Sequence, residues 1–263
     1  MFAKQVEEAG FDALYVTGYG TAADWATPTW DSLPRPRWWT TSATSAPRPH
    51  CRPSPTPTPA TAIRSIVVRT IQEYERAGVA GLHMEDQVFP KKCGFFEGKD
   101  VIPTQDHVQK LRAALDSRQD KDFVIIARTD ALAVNGWDDT VARCKAYYDA
   151  GADLVFVDGI RTKDDLVNYS DRLAKKGLPC LYNGGLVSQQ EASDLGFKIQ
   201  IIAGLALGAI YLEFNRAMKE LKETGIVAEM NERFEPTPPG DGFNELLGLP
   251  RVYELERRYG VNA

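Results

Sequence analysis

Residues 79–99 read VAGLHMEDQVFPKKCGFFEGK. Their first six positions are apolar or small apart from His83, and Glu85 and Asp86 close the run. A short, nearly continuous apolar segment of this kind reads as a strand buried on both faces. The same design recurs in DFVIIARTDA (122–131), ADLVFVDG (152–159), LPCLYNGG (178–185) and FKIQIIAG (197–204). Between these runs lie segments of helical period. SIVVRTIQEYERAG (65–78) puts Val67, Ile71 and Tyr74 on one face and stops at Gly78. TQDHVQKLRAALDSR, WDDTVARCKAYYDAG, TKDDLVNYSDRLAKKG and SQQEASDLG follow in the same alternation, and ALGAIYLEFNRAMKELKETG is a long final helix. Strand and helix in turn predict a parallel sheet covered by helices.

The polar residues cluster at strand C-termini: Glu85 and Asp86, Arg128 and Asp130, Asp158, Asn183. In a (β/α)8 barrel that rim is the active site. No GxGxxG follows a strand, which argues against a dinucleotide fold. Five strands follow Ser65, and FDALYVTG (11–18) supplies one before it.

Composition fits a soluble globular chain of 263 residues, 43% hydrophobic and 25% charged. A net charge of -5 gives no support to nucleic-acid or polybasic membrane binding. The run IQIIAGLALGAIYL (199–212) is too short to span a bilayer. Cys51, Cys93, Cys144 and Cys180 show neither CxxC pairing nor metal spacing, which suggests a reducing, cytoplasmic setting. MFAKQVEEAG has no apolar h-region, so no secretory signal is expected.

The loop after Glu85 and Asp86 carries Lys91, Lys92, Cys93 and Gly94. Two lysines beside a thiol would lower its pKa, and a glycine lets the backbone approach a ligand. One reading is a lid that brings a thiol to a substrate; the other is a surface loop with an incidental cysteine. Tyr15 is either a base or a packed strand tyrosine. Glu85 is either a metal ligand or a capping acid. Arg128 either binds substrate or pairs with Asp130 or Glu85, and Asn183 before two glycines is either a site or a turn residue.

HMEDQVFPKKCGFFEGK resembles the lid signature of the isocitrate lyase/phosphoenolpyruvate mutase superfamily, a strand ending in E-D-Q followed by K-[KR]-C-G-H. ARTDA, GADLVFVDG, LYNGG, FNELLGLPRVYELERRY and the upstream AGFDALYVTGYG continue the likeness over residues 1–24 and 65–263. It is greatest to the methylisocitrate lyase and carboxyphosphonoenolpyruvate phosphonomutase type. The resemblance implies a (β/α)8 TIM barrel with C-terminal helices and a Mg²⁺ (or Mn²⁺) ion that stabilises an enolate. It implies cleavage of a carbon–carbon bond in a 2-hydroxy di- or tricarboxylate, releasing a 2-oxo acid such as pyruvate. Phosphonomutase chemistry and a catalytically inactive remnant are the alternatives. Carried over by position, Tyr15 deprotonates the substrate hydroxyl and Cys93 protonates the departing carbanion. Thr17, Gly18, Gly94, Arg128, Asp158 and Asn183 bind substrate, and Glu85 belongs to the metal's shell. The resemblance also implies a homotetramer that exchanges its C-terminal helix, with PTPPGDGF (236–243) as linker; the barrel then takes residues 1–235 and the arm 236–263. No nucleic-acid or membrane partner is expected, only a small carboxylate.

The chain departs from that pattern. Phe95 stands for the lid histidine, Asp158 for a glutamate, and Gly208 lies near where lyases place an arginine, which argues against strict methylisocitrate specificity. The largest departure is residues 25–64. They hold nine of the sixteen prolines and four of the five tryptophans, with Asp31 as their only acid. The family places D-A-D-T-G-Y-G, whose aspartates hold magnesium, just before VVRTIQEY; this chain has RPSPTPTPATAIR. Shifting the reading frame of Pro55–Ala62 gives the codons NAC, NCC, NAC, NCC, NGC, NAC, NGC (N is a free base), which admit D-A-D-T-G-Y-G in order. The same shift lets Asp24–Leu33 encode L-G-Y-P-D-V-G-L and Arg35–Thr40 encode T-E-M-V-D, both family-like. The reading is a compensated double frameshift opening near Asp24 and closing near Ser65, through a sequencing or assembly error or a pseudogene lesion; a genuine proline-rich insertion is the alternative. The family's first strand would precede MFAKQVEEAG, so the start reads as truncated. As written, the barrel is expected to be incomplete, its first and third strands missing or scrambled, residues 25–62 disordered, and the polypeptide inactive and poorly stable.

Overall fold

A computed structural model describes residues 2–17, 53–55, 64–89, 91–93, 96–233 and 242–260. The chain forms two compact units, Ala13–Ala203 and Met1–Asp12 with Gly204–Ala263.

Among the described residues the first unit holds seven strands in two parallel sheets. β1 (Leu14–Val16) pairs with β2 (Pro53–Pro55) in the register Leu14↔Pro53, Tyr15↔Ser54, Val16↔Pro55. β3 (Gly81–Glu85), β4 (Val124–Thr129), β5 (Leu154–Val157), β6 (Cys180–Asn183) and β7 (Ile199–Ile201) form a sheet in that order. Each neighbour in sequence is a neighbour in the sheet, the winding of an open (β/α)8 barrel. The expected disorder of the proline-rich segment is corrected at Pro53–Pro55, which is extended and paired. Proline's fixed φ suits an edge strand, where its missing N–H is tolerated. The rest of 25–62 lies outside the described residues.

Side-chain alternation sorts the strands into two faces. Leu82, Met84, Ile125 and Ala127 point outward and pack with Val67, Ile71 and Tyr74 of α2 (Arg64–Arg76) and Val108, Leu111 and Ala114 of α3 (Thr104–Ser117). Val155, Val157, Cys180 and Tyr182 pack with α4 (Leu132–Asp149), α5 (Lys163–Arg172) and α6 (Gln189–Asp194). Burying each such aliphatic or aromatic side chain contributes roughly 1.5–3 kcal/mol. The opposite face carries Ile126, Phe156 and Leu181, with Val124, Leu154 and Ile201 against them. Its upper positions are His83, Glu85, Arg128, Asp130, Asp158 and Asn183, so alternation delivers the polar groups to one side of the strand ends.

Local rules fix the boundaries. Gly78 has φ 77° where α2 stops. Thr162 and Ser188 open α5 and α6 as capping boxes with Asp165 and Glu191. The helix expected from Trp137 starts earlier, at Leu132, and kinks at Gly136 (φ 78°). At Gly81 a Cβ would lie 2.6 Å from Val124 O, so close strand approach requires glycine there.

The second unit contains α1 (Phe2–Glu8), α7 (Leu205–Thr224), α8 (Ala228–Arg233), α9 (Phe243–Leu247) and α10 (Leu249–Tyr259). Leu205, Tyr211, Leu212 and Phe214 of α7 are exposed, as are Phe243 and Tyr253. No helix among the described residues is long and apolar enough to cross a membrane.

Candidate active site

Glu85 ends β3 in register with Arg128 on β4, and Arg128 is in register with Phe156 on β5. That register brings acids from three strand ends around one guanidinium. Arg128 donates from Nε to Asp130 Oδ2 (2.8 Å), from Nη2 to Asp130 Oδ1 (3.0 Å), and from Nη2 to Asp158 Oδ2 (2.6 Å). Its Nε also lies 3.4 Å from Glu85 Oε2, and the guanidinium sits over the Phe156 ring at 5.3 Å. The structural pairing left open for Arg128 is therefore present.

The loop after β3 folds back onto these acids. Lys91 is ion-paired with Glu85, and Lys99 Nζ lies 3.0 Å from Asp130 Oδ1. Lys92 turns to the loop itself, donating to the carbonyls of Glu97 (3.2 Å) and Gly98 (2.8 Å). Cys93, half-buried, is two residues past Lys91, and Lys92 N–H donates to Gln87 Oε1 at 2.9 Å. The thiol is thus carried by a segment seated on the strand ends.

Burial raises Asp158, with Arg128 partly offsetting it. Burial also acts against ionised Asp130, but Arg128 and Lys99 outweigh it and hold that carboxyl below the usual range. Glu85, Asp130 and Asp158 face Lys91, Lys99 and Arg128, three negative groups against three positive. Each of these acids thus has a basic partner among the described residues.

Tyr15, on β1, reaches β3: its Oη lies 2.7 Å from His83 Nε2, with the rings stacked at 5.8 Å. Burial, then Arg128 and Lys91, keeps His83 well below its ordinary range, so the imidazole is neutral. Thr17 follows β1, half-buried, and Asn183 ends β6, half-buried, in register with Ile201. Gly18 and Gly94 lie outside the described residues.

Sequence reasoning missed His83, Lys99 and the second role of the E-D pair. Asp86 points away from Glu85 into a separate buried network. It accepts from Thr129 Oγ1 (2.7 Å), Tyr147 Oη (2.8 Å), Arg143 Nη1 (3.2 Å) and the Asp130 N–H (3.0 Å). Burial raises its pKa. It braces the end of β4 and does not face the site. Alternation along β3 is the signal that separates Glu85 from Asp86.

A divalent cation asks for several oxygen donors in near-octahedral array. Among the described residues no group of three or more His, Cys, Asp and Glu side chains is arranged to hold a metal ion. Glu85 is the one expected ligand present, and Lys91 and Arg128 already neutralise it. The described residues do not make up a magnesium site.

Residues 60–222 match the family model described as phosphoenolpyruvate phosphomutase. A 2,3-dimethylmalate lyase of Eubacterium barkeri is 31% identical over 99% of this chain and 91% of its own. A probable 2-methylisocitrate lyase of Corynebacterium glutamicum is 34% identical over 99% of this chain and 82% of its own. A crystal structure of 2,3-dimethylmalate lyase, titled a PEP mutase/isocitrate lyase superfamily member, superposes with a TM-score of 0.86 at 33% identity, covering 98% of this chain and 87% of that one. The open parallel barrel is thus that of a known group of lyases and mutases, and the chain belongs to the isocitrate lyase/phosphoenolpyruvate mutase superfamily.

Proposed function

We propose that this rim is built for carbon–carbon cleavage of a 2-hydroxy di- or tricarboxylate, in the manner of a methylisocitrate lyase. The observation that carries the reading is the seating of Cys93's segment on the strand ends, with Lys91 on Glu85. Cleavage needs a proton taken from the hydroxyl and a proton given to the carbanion. For the first step Tyr15 takes the hydroxyl proton as it passes its own phenolic proton to Nε2 of neutral His83, and Cys93 stands for the second. The C–C electron pair stays on the departing fragment, which Cys93 protonates, and the hydroxyl-bearing carbon leaves as a 2-oxo acid. Arg128 offers a forked donor to a substrate carboxylate in exchange for Asp130 or Asp158. Thr17 and Asn183 are assigned to substrate binding with it, as are Gly18 and Gly94, which lie outside the described residues.

Mg²⁺ (or Mn²⁺) belongs to this proposal only with the frame restored over 24–65, which returns aspartates that RPSPTPTPATAIR lacks. The chain as written is proposed to be a weak or inactive form of that enzyme. Phosphonomutase chemistry is the second reading, favoured by the family description. The free thiols of Cys93, Cys144 and Cys180 suit a reducing cytoplasm. Exposed apolar residues on α7, α9 and α10 suit a homotetramer with an exchanged arm at 236–263.

The written and frame-restored chains should be assayed with 2-methylisocitrate, 2,3-dimethylmalate and phosphoenolpyruvate, with light scattering alongside. Release of 2-oxo acid from a hydroxy acid by the restored chain supports the lyase. Phosphonopyruvate formation alone replaces it with the mutase, and silence on all three replaces both with the remnant.

A further inference from the structure

We propose that Lys99 is a positioning residue that couples the cysteine-bearing loop to Arg128. The role of Arg128 rests on the functional reading above; the coupling stands on geometry alone. Lys99 lies on the far stem of the loop, six residues after Cys93. Its ammonium and the Asp130 carboxylate are almost wholly buried, at 2% and 0% side-chain exposure. Asp130 Oδ1 accepts from Lys99 and from Arg128 Nη2, both at 3.0 Å. One oxygen is thus shared by the loop's lysine and the rim's arginine. The Asp130 backbone that carries this carboxylate is anchored by its N–H to Asp86 Oδ1 at 3.0 Å.

The two stems of the loop are also tied together. Gln87 and Val101 form an antiparallel bridge, Val88 N–H donates to Asp100 O (2.9 Å), and Ile102 N–H donates to Asp86 O (2.8 Å). Gln87 in turn grips Lys92 at both its N–H and its carbonyl, each at 2.9 Å. Displacing Lys99 therefore reaches Cys93 through a short chain of hydrogen bonds, and reaches Arg128 through one carboxylate. Removing the ammonium leaves Asp130 paired with Arg128, so the variant keeps its buried acid compensated and folds.

The test needs no substrate. Cys51→Ser leaves Cys93 as the half-buried thiol beside buried Cys144 and Cys180. Iodoacetamide labelling at Cys93 is then followed by peptide mass. Lys99→Met is expected to speed labelling by about tenfold or more, and Lys99→Arg to restore it to within about twofold, because labelling reports the open population of the loop. Arg128→Lys keeps the charge but loses the fork, and should speed labelling too. Coupling predicts that the Lys99→Met/Arg128→Lys pair labels no faster than the faster single variant. Equal labelling of Lys99→Met and the parent, or multiplicative effects in the pair, overturns the proposal. In the unsubstituted chain the amides of Val88, Lys92 and Ile102 should exchange as one unit; independent rates also overturn it. Failure of the functional reading shows separately, as absence of turnover in the restored chain with this labelling pattern intact.

Discussion

Arg128 and Asp158, thirty residues apart in the chain, are joined by a 2.6 Å hydrogen bond from Nη2 to Oδ2. The same guanidinium serves Asp130 and faces Glu85, so one buried cation compensates parts of three buried acids. Breaking a buried pair from one side leaves uncompensated charge and costs about 3–5 kcal/mol. Arg128→Met is expected to lose stability in that range. Arg128→Lys should lose less, since it keeps the charge and forfeits the forked geometry. Urea unfolding at constant m-value measures both. A loss below about 1 kcal/mol for Arg128→Met would show that water already reaches the acids.

His107 sits on α3 with its ring against Tyr147 at 4.6 Å between centroids. Burial, then Lys110 and Arg143, pushes its pKa down to about 3. Below the unfolded pKa near 6.5 the unfolded chain binds a proton that the native state refuses. Stability contributed by neutral His107 is therefore present above about pH 6.5 and falls as pH falls towards 3. The slope is about 1.4 kcal/mol per pH unit for one proton. His83 adds a similar dependence, so the comparison must be between the parent and His107→Leu. Unfolding free energies at pH 7 and pH 5 should differ less in His107→Leu, by up to about 2 kcal/mol. Parallel pH curves would mean that His107 is protonated in the native state.

Tyr147→Phe tests whether Asp86 is a brace. The phenol donates to Asp86 Oδ2, where Thr129 and Arg143 also converge. Deleting one donor of a buried carboxylate that keeps three others should cost about 1–3 kcal/mol. Turnover of the frame-restored enzyme should stay within about twofold, because Asp86 does not face the rim. A large fall in activity without loss of stability would place Asp86 in the chemistry.

Strands β3 to β6 and helices α2 to α5 were legible because both faces of each strand and one face of each helix are buried, which writes the period into the residues. Val67, Ile71 and Tyr74 are buried at 5%, 1% and 1%, as their spacing implied. The ion pairs were not legible. Arg128 to Asp158 depends on the β4–β5 register, and Tyr15 to His83 on the meeting of β1 with β3; neither is local in sequence. Lys99 looked like any loop lysine, since a buried and a solvated ammonium share one letter. Pro53–Pro55 misled for the opposite reason: proline favours an extended backbone whether or not it is paired.

Cys93→Ser in the frame-restored chain tests the proton donor. A serine hydroxyl is about as small but a far weaker acid. General-acid loss should lower turnover by about 10²–10⁴-fold with substrate affinity little changed. Pre-steady-state trapping of the 2-oxo acid would show whether cleavage or protonation is slowed. Activity within about threefold of the parent would remove Cys93 from the mechanism and leave the lysines as the loop's contribution.

Magnesium separates the written chain from its restored form. A ligand that binds only the native state raises stability by RT ln(1 + [L]/Kd), about 2.7 kcal/mol at a hundredfold excess over Kd. In the written chain Mg²⁺ would have to displace Lys91 from Glu85 and add two positive charges beside acids that already have basic partners. Its melting temperature should therefore stay within about 1 °C between chelator and millimolar MgCl₂. The restored chain regains aspartates and should rise by several degrees under the same change. Glu85→Gln should abolish most of that rise, and in the written chain should leave the magnesium response flat. A saturable rise in the written chain would mean that Glu85 trades its lysine for the metal, and that three acids and three cations are a resting state of the rim.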